Sequence, residues 1–468
     1  MRWFAAEIAD VVGGVVSQGD PSTVVTWVTQ DSREIAEHLD RASSLFVPLL
    51  AERDGHDFVA SSGAAVTFSS RAADDLGNTD SALVVIEVDD TARALTELGS
   101  AARTRLDGQI VVGITGSVGK TTTKDLLASI FSADRPTHAS HRSFNNEIGV
   151  PLTILGAPDD TEALVLEMGA RGIGHIAHLC SVGRPNIGIV TTVGSAHTSE
   201  FGSVEGVAEA KGELVESLPS AVDGGIAVLN ADNPLVAAMA SRTDARVVTF
   251  GTGPAAGDHV SARNIRLDDE LVPSFELQSP WGGGAITLGA RGIHLVDNAA
   301  AAAAAALASG VPFDAVATGL ASPVLSPMRM ALHRSASGAS ILDDSYNANP
   351  MSMAAALRSL AALPAARRVA VLGEMAELGA TSETEHQRIG TLADELGIDL
   401  IAVGASDYLP VGDAERETAT ALASGIPEAL RLLVSMRSDP PLGERDAVLV
   451  KGSRVAGLER LAQLLVDN

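Results

Sequence analysis

The segment Gly113-Ile114-Thr115-Gly116-Ser117-Val118-Gly119-Lys120-Thr121-Thr122 gathers residue types that handle phosphate. Gly116 and Gly119 let the backbone turn tightly and aim N–H groups inward. Lys120 brings a positive charge to the outer phosphates, and the Thr121 hydroxyl is placed to ligate Mg2+. The predicted occupant is the polyphosphate of ATP, cradled by Thr115, Gly116, Ser117, Val118, Gly119, Lys120, Thr121 and Thr122. The common P-loop pattern is G-x-x-x-x-G-K-[ST]. Here Ile114 stands five residues before Gly119, and the glycine comes later, at Gly116. A plain glycine-rich turn is the alternative, but Lys-Thr directly after the glycine, between a strand and a helix, rarely arises by chance.

Other chemistry-bearing residues stand near predicted strand ends, where open α/β sheets place their ligands. Glu167 closes the run Ala163–Glu167 and, with Thr121, is the candidate holder of the ATP-bound Mg2+; a surface carboxylate is the alternative. His197, in Val193-Gly194-Ser195-Ala196-His197, follows another strand, although a lone histidine is usually structural. Lys211 falls on a predicted helix, where most lysines are solvated. Asn298 opens an alanine-rich helix and is either a ligand contact or a plain N-cap. Lys451, after the last strand, either meets a substrate carboxylate or is only a basic strand end. His175, His178 and Cys180 fall short of a closed structural zinc site.

These residues need a frame. At 468 residues the chain is long enough for two to four domains. Its composition is 46% hydrophobic but only 3% aromatic, so the cores must be built from Val, Leu, Ile and Ala. The expected organisation is α/β throughout, in three domains. Residues 1–105 form a smaller N-terminal α/β domain with short strands at Ser44–Leu49 and Ala82–Val88 and a helix at Thr91–Arg105. Residues 106–325 form a central P-loop domain around a doubly wound, mostly parallel sheet: strand Gln109–Thr115, helix Lys120–Phe131, then strands at Ala163–Glu167, Ile187–Val193 and Gly225–Leu229. An antiparallel excursion is expected over 260–290, then the helix Asn298–Ser309. Ser322-Pro323 and Ser326-Pro327 mark a linker. Residues 326–468 then form a Rossmann-like domain with strands at Ser340–Asp343, Val369–Leu372, Leu400–Val403 and Ala447–Val450.

Charge and targeting signals narrow the partners. A net charge of −26 repels long nucleic acid and anionic membrane surfaces. It still permits an anionic small molecule where a local site supplies N–H groups, a lysine and metal ions. Cys180 is the one cysteine, so no intrachain disulfide can form. Glu7 and Asp10 interrupt any signal-peptide core, and Ala299–Ala308 is too short for a membrane span. A cytoplasmic monomer is expected, with no membrane insertion and no nucleic-acid partner.

The variant Thr-Gly-x-x-Gly-Lys-Thr-Thr resembles the loop of the Mur ligases and folylpolyglutamate synthetases. Further motifs resemble the branch of the Mur ligases that adds D-alanyl-D-alanine. They are Ser143-Phe144-Asn145-Asn146-Glu147-Ile148-Gly149-Val150-Pro151, Glu167-Met168-Gly169-Ala170-Arg171, Asp344-Ser345-Tyr346-Asn347-Ala348-Asn349-Pro350 and the segment 371–379. Asp31-Ser32-Arg33, Leu45–Leu49 and Asp54-Gly55-His56 extend the likeness to the N-terminus. It implies an ATP-dependent amide ligase of peptidoglycan precursor synthesis. ATP phosphorylates the terminal carboxylate of a UDP-N-acetylmuramoyl-tripeptide, and the amine of D-alanyl-D-alanine attacks the acyl phosphate.

The same resemblance assigns roles. His197 and Lys211 would hold a second Mg2+, with Lys211 carbamylated by CO2. Asn298 would contact the adenine, Arg329 the transferring phosphoryl group, and Asp344 the ribose, with Tyr346 and Asn347 lining the nucleotide cleft. The resemblance places Ser32 and Arg33 at the UDP-sugar; Asn145 and Asn146, by residue type, are short neutral hydrogen-bonders suited to the muramoyl peptide or the γ-phosphate region. The family usually has glycine where Met328 stands, and leucine where Thr198 stands. A sister ligase adding another amino acid, and a P-loop ATPase or kinase that forms no amide, are the alternatives.

Overall fold

The computed structural model describes every residue except 39, 78, 107, 142, 195–200, 254–259, 410–417, 436–441 and 468. The strand Ile110–Thr115 is apolar on both faces and lies inside a nine-stranded sheet. In spatial order the strands are Gly284–Thr287, Pro273–Gln278, Val260–Leu267, Arg246–Gly251, Ile226–Asn230, Ile187–Val190, Ile110–Thr115, Ala163–Glu167 and Thr137–Ala139. The seven from Val260–Leu267 onward pair in parallel, as continuous Val/Ile/Leu runs do when helices cover both faces. The first three form the expected antiparallel excursion, which continues the same sheet through Phe250 and Val260.

Side chains alternate between the two faces of this sheet. Val111, Leu164, Leu166, Val190 and Leu229 face the helices Gly149–Leu155, His175–Gly183 and Val204–Glu216. Val112, Val165, Ile189 and Val228 face Lys120–Ser132, Leu295–Ala308 and Phe313–Ala321. The alanine run of Leu295–Ala308 is fully buried there. Small side chains let this helix lie close to the sheet and to the P-loop helix at once.

A five-stranded sheet precedes the central one, in the order Val15–Gln18, Val84–Glu87, Val66–Ser69, Ser44–Phe46, Trp27–Thr29. Trp3–Phe4 and Val24–Val25 add a two-stranded ribbon. The helix Thr91–Thr104 buries Leu95, Leu98 and Ala102 in a core that runs on into Val150, Ile154 and Leu166 of the central unit. A Cβ on Gly99 would lie 2.6 Å from Cβ of Pro151, so glycine permits this close crossing.

After residue 330 comes a six-stranded sheet in the order Ala331–Arg334, Ser340–Asp343, Asp446–Lys451, Arg367–Gly373, Asp399–Val403, Thr420–Ala423. All its pairings are parallel except that of the first strand. Helices Pro350–Ala362 and Ser382–Glu395 cover one face; Ile426–Ser435 and Glu459–Asp467 cover the other. Three α/β units around three sheets are thus the architecture. Short strands such as Ala331–Arg334 and Thr420–Ala423 escape the sequence pattern because they are half-exposed edge strands with little apolar signal. Among the described residues no helix is long and apolar enough to cross a membrane.

Candidate active site

A cleft of about 730 Å3 opens at the carboxyl end of the central strands, between the nine-stranded and six-stranded units. The P-loop forms its floor. Gly116 has φ +151°, and a Cβ there would lie 1.9 Å from Thr191 Oγ1; Gly119 has φ +85°, and a Cβ would lie 2.2 Å from Asn298 Nδ2. Only glycine fits either position. Thr191 clamps the loop by donating to the Val118 carbonyl at 2.6 Å, and Ser117 exchanges hydrogen bonds with the Gly194 backbone. Lys120 opens the helix and donates to the Gly116 carbonyl at 2.6 Å. Burial pushes its ammonium below the ordinary lysine range; Glu167 opposes that shift and Arg329 adds to it.

Glu167 ends its strand and is 1% exposed. Its Oε1 accepts from Asn145 Nδ2 at 2.8 Å, while Oε2 is buried with no hydrogen-bond partner. A desolvated carboxylate oxygen left in this way is costly unless a cation completes it. With the Thr121 hydroxyl, which lines the same cleft, the donor set is the hard-oxygen type that Mg2+ takes. Asn146 does a different job: its Oδ1 accepts from Gly149 N and holds the start of the next helix.

Lys211 lies on Val204–Glu216 but is not solvated: it is 2% exposed and lines the cleft. Burial, and then the charge of Lys120, pushes it down to about 7. His197 lies outside the described residues. Among the described residues no three His, Cys, Asp or Glu side chains are arranged to hold a metal. Cys180 is buried with its Sγ 3.8 Å from Met168 Sδ, and burial pushes its thiol up to about 12.

Asn298 does not open its helix, which begins at Leu295. It stands in the first turn, so it is not the N-cap. Its Nδ2 donates to Gly119 O at 3.1 Å and Thr123 Oγ1 at 3.0 Å, bracing the P-loop. Arg329 reaches across from the other unit: Nη2 donates to Thr121 Oγ1 at 2.9 Å, and the guanidinium sits 4.3 Å from the Tyr346 ring centroid. Tyr346 in turn hydrogen-bonds Ser143, joining the two sides of the cleft.

Asp344 stands one residue past its strand. Its Oδ2 pairs with Lys451 Nζ at 2.5 Å, and its Oδ1 accepts from Met330 N at 3.1 Å. Lys451 is the last residue of its strand and 2% exposed; it also donates to the Asn347 carbonyl at 2.8 Å. It is therefore engaged within its own unit. Ser32 and Arg33 are not among the cleft-lining residues. Ser32 begins a short helix capped by Asp31, and Arg33, 86% exposed, pairs with Asp31.

Sequence reasoning missed several cleft residues. Asn230 ends the strand Ile226–Asn230 and donates to Thr191 O at 2.9 Å; the strand-end rule applied to Glu167 would have found it. His294, just before the alanine-rich helix, has a buried Nδ1 without a partner and is pushed down by burial. Asp125 faces the cleft from the P-loop helix, one turn after Thr121. No sequence spacing marks these two.

Comparison with known proteins places this fold in a family. Residues 114–306 fit the Mur ligase middle domain and residues 328–454 the Mur ligase, glutamate ligase domain. The chain is 38% identical to the UDP-N-acetylmuramoyl-tripeptide–D-alanyl-D-alanine ligase of Mycobacterium tuberculosis, over 99% of this chain and 97% of that protein. A crystal structure of MurF from Acinetobacter baumannii superposes with a TM-score of 0.86 at 30% identity, covering 100% of this chain and 99% of that one. MurF from Thermotoga maritima, solved in complex with ADP, gives 0.77 at 27% identity, over 94% and 97% of the two chains. Two family models over residues 114–306 and 328–454, and relatives alike along nearly the whole length, show that the chain belongs to the Mur ligase family.

Proposed function

We propose that this ligase joins D-alanyl-D-alanine to UDP-N-acetylmuramoyl-tripeptide with consumption of ATP, in the making of a peptidoglycan precursor. The likeness to a ligase named for that reaction, over nearly the full length of both chains, carries the reading. The cleft supplies the chemistry. Backbone N–H groups of the P-loop and Lys120 take the phosphates, and Asn298 keeps the loop in shape beside the adenine. Arg329 leaves Thr121 to meet the γ-phosphoryl group. Asp344, Tyr346 and Asn347 cover the nucleoside from the third unit.

The tripeptide carboxylate attacks the γ-phosphorus, ADP leaves, and an acyl phosphate forms. The dipeptide amine then attacks the acyl carbon, phosphate departs with a former carboxylate oxygen, and the amine loses a proton. Glu167 with Thr121, and His197 with a carbamylated Lys211, would hold two Mg2+ ions, which neutralise charge between carboxylate and polyphosphate. Lys211 favours carbamylation: a lysine pushed down to about 7 presents the neutral amine that CO2 requires. Asn145 fixes Glu167, Asn146 shapes the adjoining turn, Lys451 orders the Asp344 loop, and Ser32 and Arg33 serve the UDP-sugar.

Residues 1–105, 106–325 and 326–468 are taken as the domains of a cytoplasmic monomer. ADP release across pairs of UDP-peptides and amines is the test. Release that needs the tripeptide and D-alanyl-D-alanine together supports the reading; release driven by a diaminopimelate instead would assign the chain to a sister activity.

A further inference from the structure

The segment joining the central and C-terminal units does not hang free. Along the helix Lys120–Ser132, residues 121, 125 and 129 stand on one face, one turn apart. Each holds a successive point of the joining segment. Ser129 Oγ accepts from Val324 N at 3.0 Å, Asp125 Oδ2 accepts from Ser326 N at 2.7 Å, and Thr121 Oγ1 accepts from Arg329 Nη2 at 2.9 Å. The segment runs antiparallel to the helix. Its two-residue step from 324 to 326 spans about 6–7 Å of extended chain, close to the roughly 6 Å that four helical residues rise.

Asp125 and Ser129 are themselves oriented. Asp125 Oδ1 pairs with the buried Lys124 at 3.0 Å, and Ser129 Oγ donates to the Asp125 carbonyl at 2.8 Å. The preceding helix, Phe313–Ala321, delivers the chain to this face. A Cβ on Gly319 would lie 2.4 Å from Ile130 Cα, so the two helices meet backbone to backbone.

The other end of the segment belongs to the C-terminal unit. Met328 O accepts from Tyr346 N at 3.2 Å, and Met330 N donates to Asp344 Oδ1 at 3.1 Å. Pro327, with no N–H, lies between the backbone attachments to the helix, at Val324 and Ser326, and those to the C-terminal unit, at Met328 and Met330. Met328 and Met330 have φ +59° and +52°, a strained left-handed backbone on each side of Arg329.

We propose that Asp125 and Ser129 are positioning residues for phosphoryl transfer. They pin residues 324–326 to the P-loop helix, fix the pivot of the C-terminal unit at Pro327, and so keep Arg329 within reach of the P-loop at every angle of that unit. The proposal rests on the reading of Arg329 as the γ-phosphate arginine. Arg329 lies two residues from the pivot, so a rotation that carries the far strands a long way moves it little.

The test uses the full chain with Asp125→Ala, Asp125→Asn and Ser129→Ala. It reads kcat, KM for each substrate, ADP affinity by calorimetry and amide exchange over residues 323–330. Asp125→Ala should lower kcat on the order of tenfold, because small misplacements of a phosphate-binding group are costly. The KM for the amine substrate should hold and exchange at Ser326 should quicken. Asp125→Asn, which keeps an acceptor for Ser326 N–H, should regain most of the loss. Ser129→Ala, which does not touch Lys124, should shift kcat and exchange in the same direction by less. If Asp125→Asn is as impaired as Asp125→Ala, the ion pair with Lys124 is what matters and the proposal falls. Unchanged kcat and exchange in Ser129→Ala, with Asp125→Ala folded or not, also overturns it. Failure of the parent chain to bind ADP would strike the nucleotide reading itself, a result separable from any difference among the variants.

Discussion

The central unit meets its two neighbours in opposite ways. Toward the N-terminus it shares one continuous apolar core, in which Leu95 and Leu98 pack with Val150 and Ile154. Toward the C-terminus it presents the polar cleft, bridged by Ser143–Tyr346 and Thr121–Arg329, with Leu271 of the central hairpin lodged in the C-terminal core. Burial of apolar area is strong and indifferent to ligands; polar contacts in a wet cleft exchange readily for phosphate oxygens. The first junction therefore behaves as one body, and the second is where the proposed reading has nucleotide admitted and covered. Lys120 and Asp344 line one cleft from separate units, so the proposed nucleotide site falls at this second junction.

The comparison can be broken most forcefully at Lys120. Lys120→Ala should cut ATP turnover by about 10²–10³-fold or more, as loss of one preorganised electrostatic group does. Its melting temperature should hold or rise, because burial already disfavours the ammonium. A melting temperature that collapses with activity would make Lys120 a structural residue. Asn145→Ala should raise the Mg2+ concentration needed for half-maximal turnover by about 10–100-fold, by freeing Glu167 from its oriented position. An unchanged Mg2+ titration would remove Glu167 from the metal site.

At the apolar junction the expected pattern is reversed. Leu98→Ala should cost about 2–5 kcal/mol in denaturant unfolding, with the N-terminal and central units still unfolding together. Separate transitions for the two units would deny that they share a core.

The smallest effect lies at Asp54 in the N-terminal unit. Burial raises its carboxyl, but hydrogen bonds from His56 and Arg71 outweigh that and hold it at about 2, below its ordinary 3.8. A depressed carboxyl stabilises the fold above the unfolded value, and that contribution is lost as pH falls from 3.8 toward 2. Acid unfolding followed by circular dichroism should be less steep in this window for Asp54→Asn; an identical profile would show that the contacts add nothing.

The sequence exposed the parts of this molecule that follow from local rules. The β-branched run at 110–115, the Gly-Lys-Thr turn and the carboxylate at the end of Ala163–Glu167 each state their position through periodicity or strand-end chemistry. The relation of 326–468 to the central sheet was legible only as residue types, Lys120 and Asp344, suited to one nucleotide. What stayed hidden depends on distant chain segments. Burial of Lys211 needs the whole central sheet behind its helix. Asn298 reads as an N-cap until His294 and Leu295 are seen to start the helix earlier, and the glycine it braces, Gly119, lies 179 residues away along the chain. The pairing of Lys451 with Asp344 joins the ends of two parallel neighbours, Ser340–Asp343 and Asp446–Lys451, that are remote in sequence.

The central claim is that the cleft activates a carboxylate by phosphorylating it. The most direct measurement supplies UDP-N-acetylmuramoyl-tripeptide labelled with 18O in its terminal carboxylate, together with ATP and D-alanyl-D-alanine, and weighs the phosphate released. An acyl phosphate route predicts one 18O in each phosphate and the other retained in the new amide. Unlabelled phosphate formed alongside amide product would contradict it.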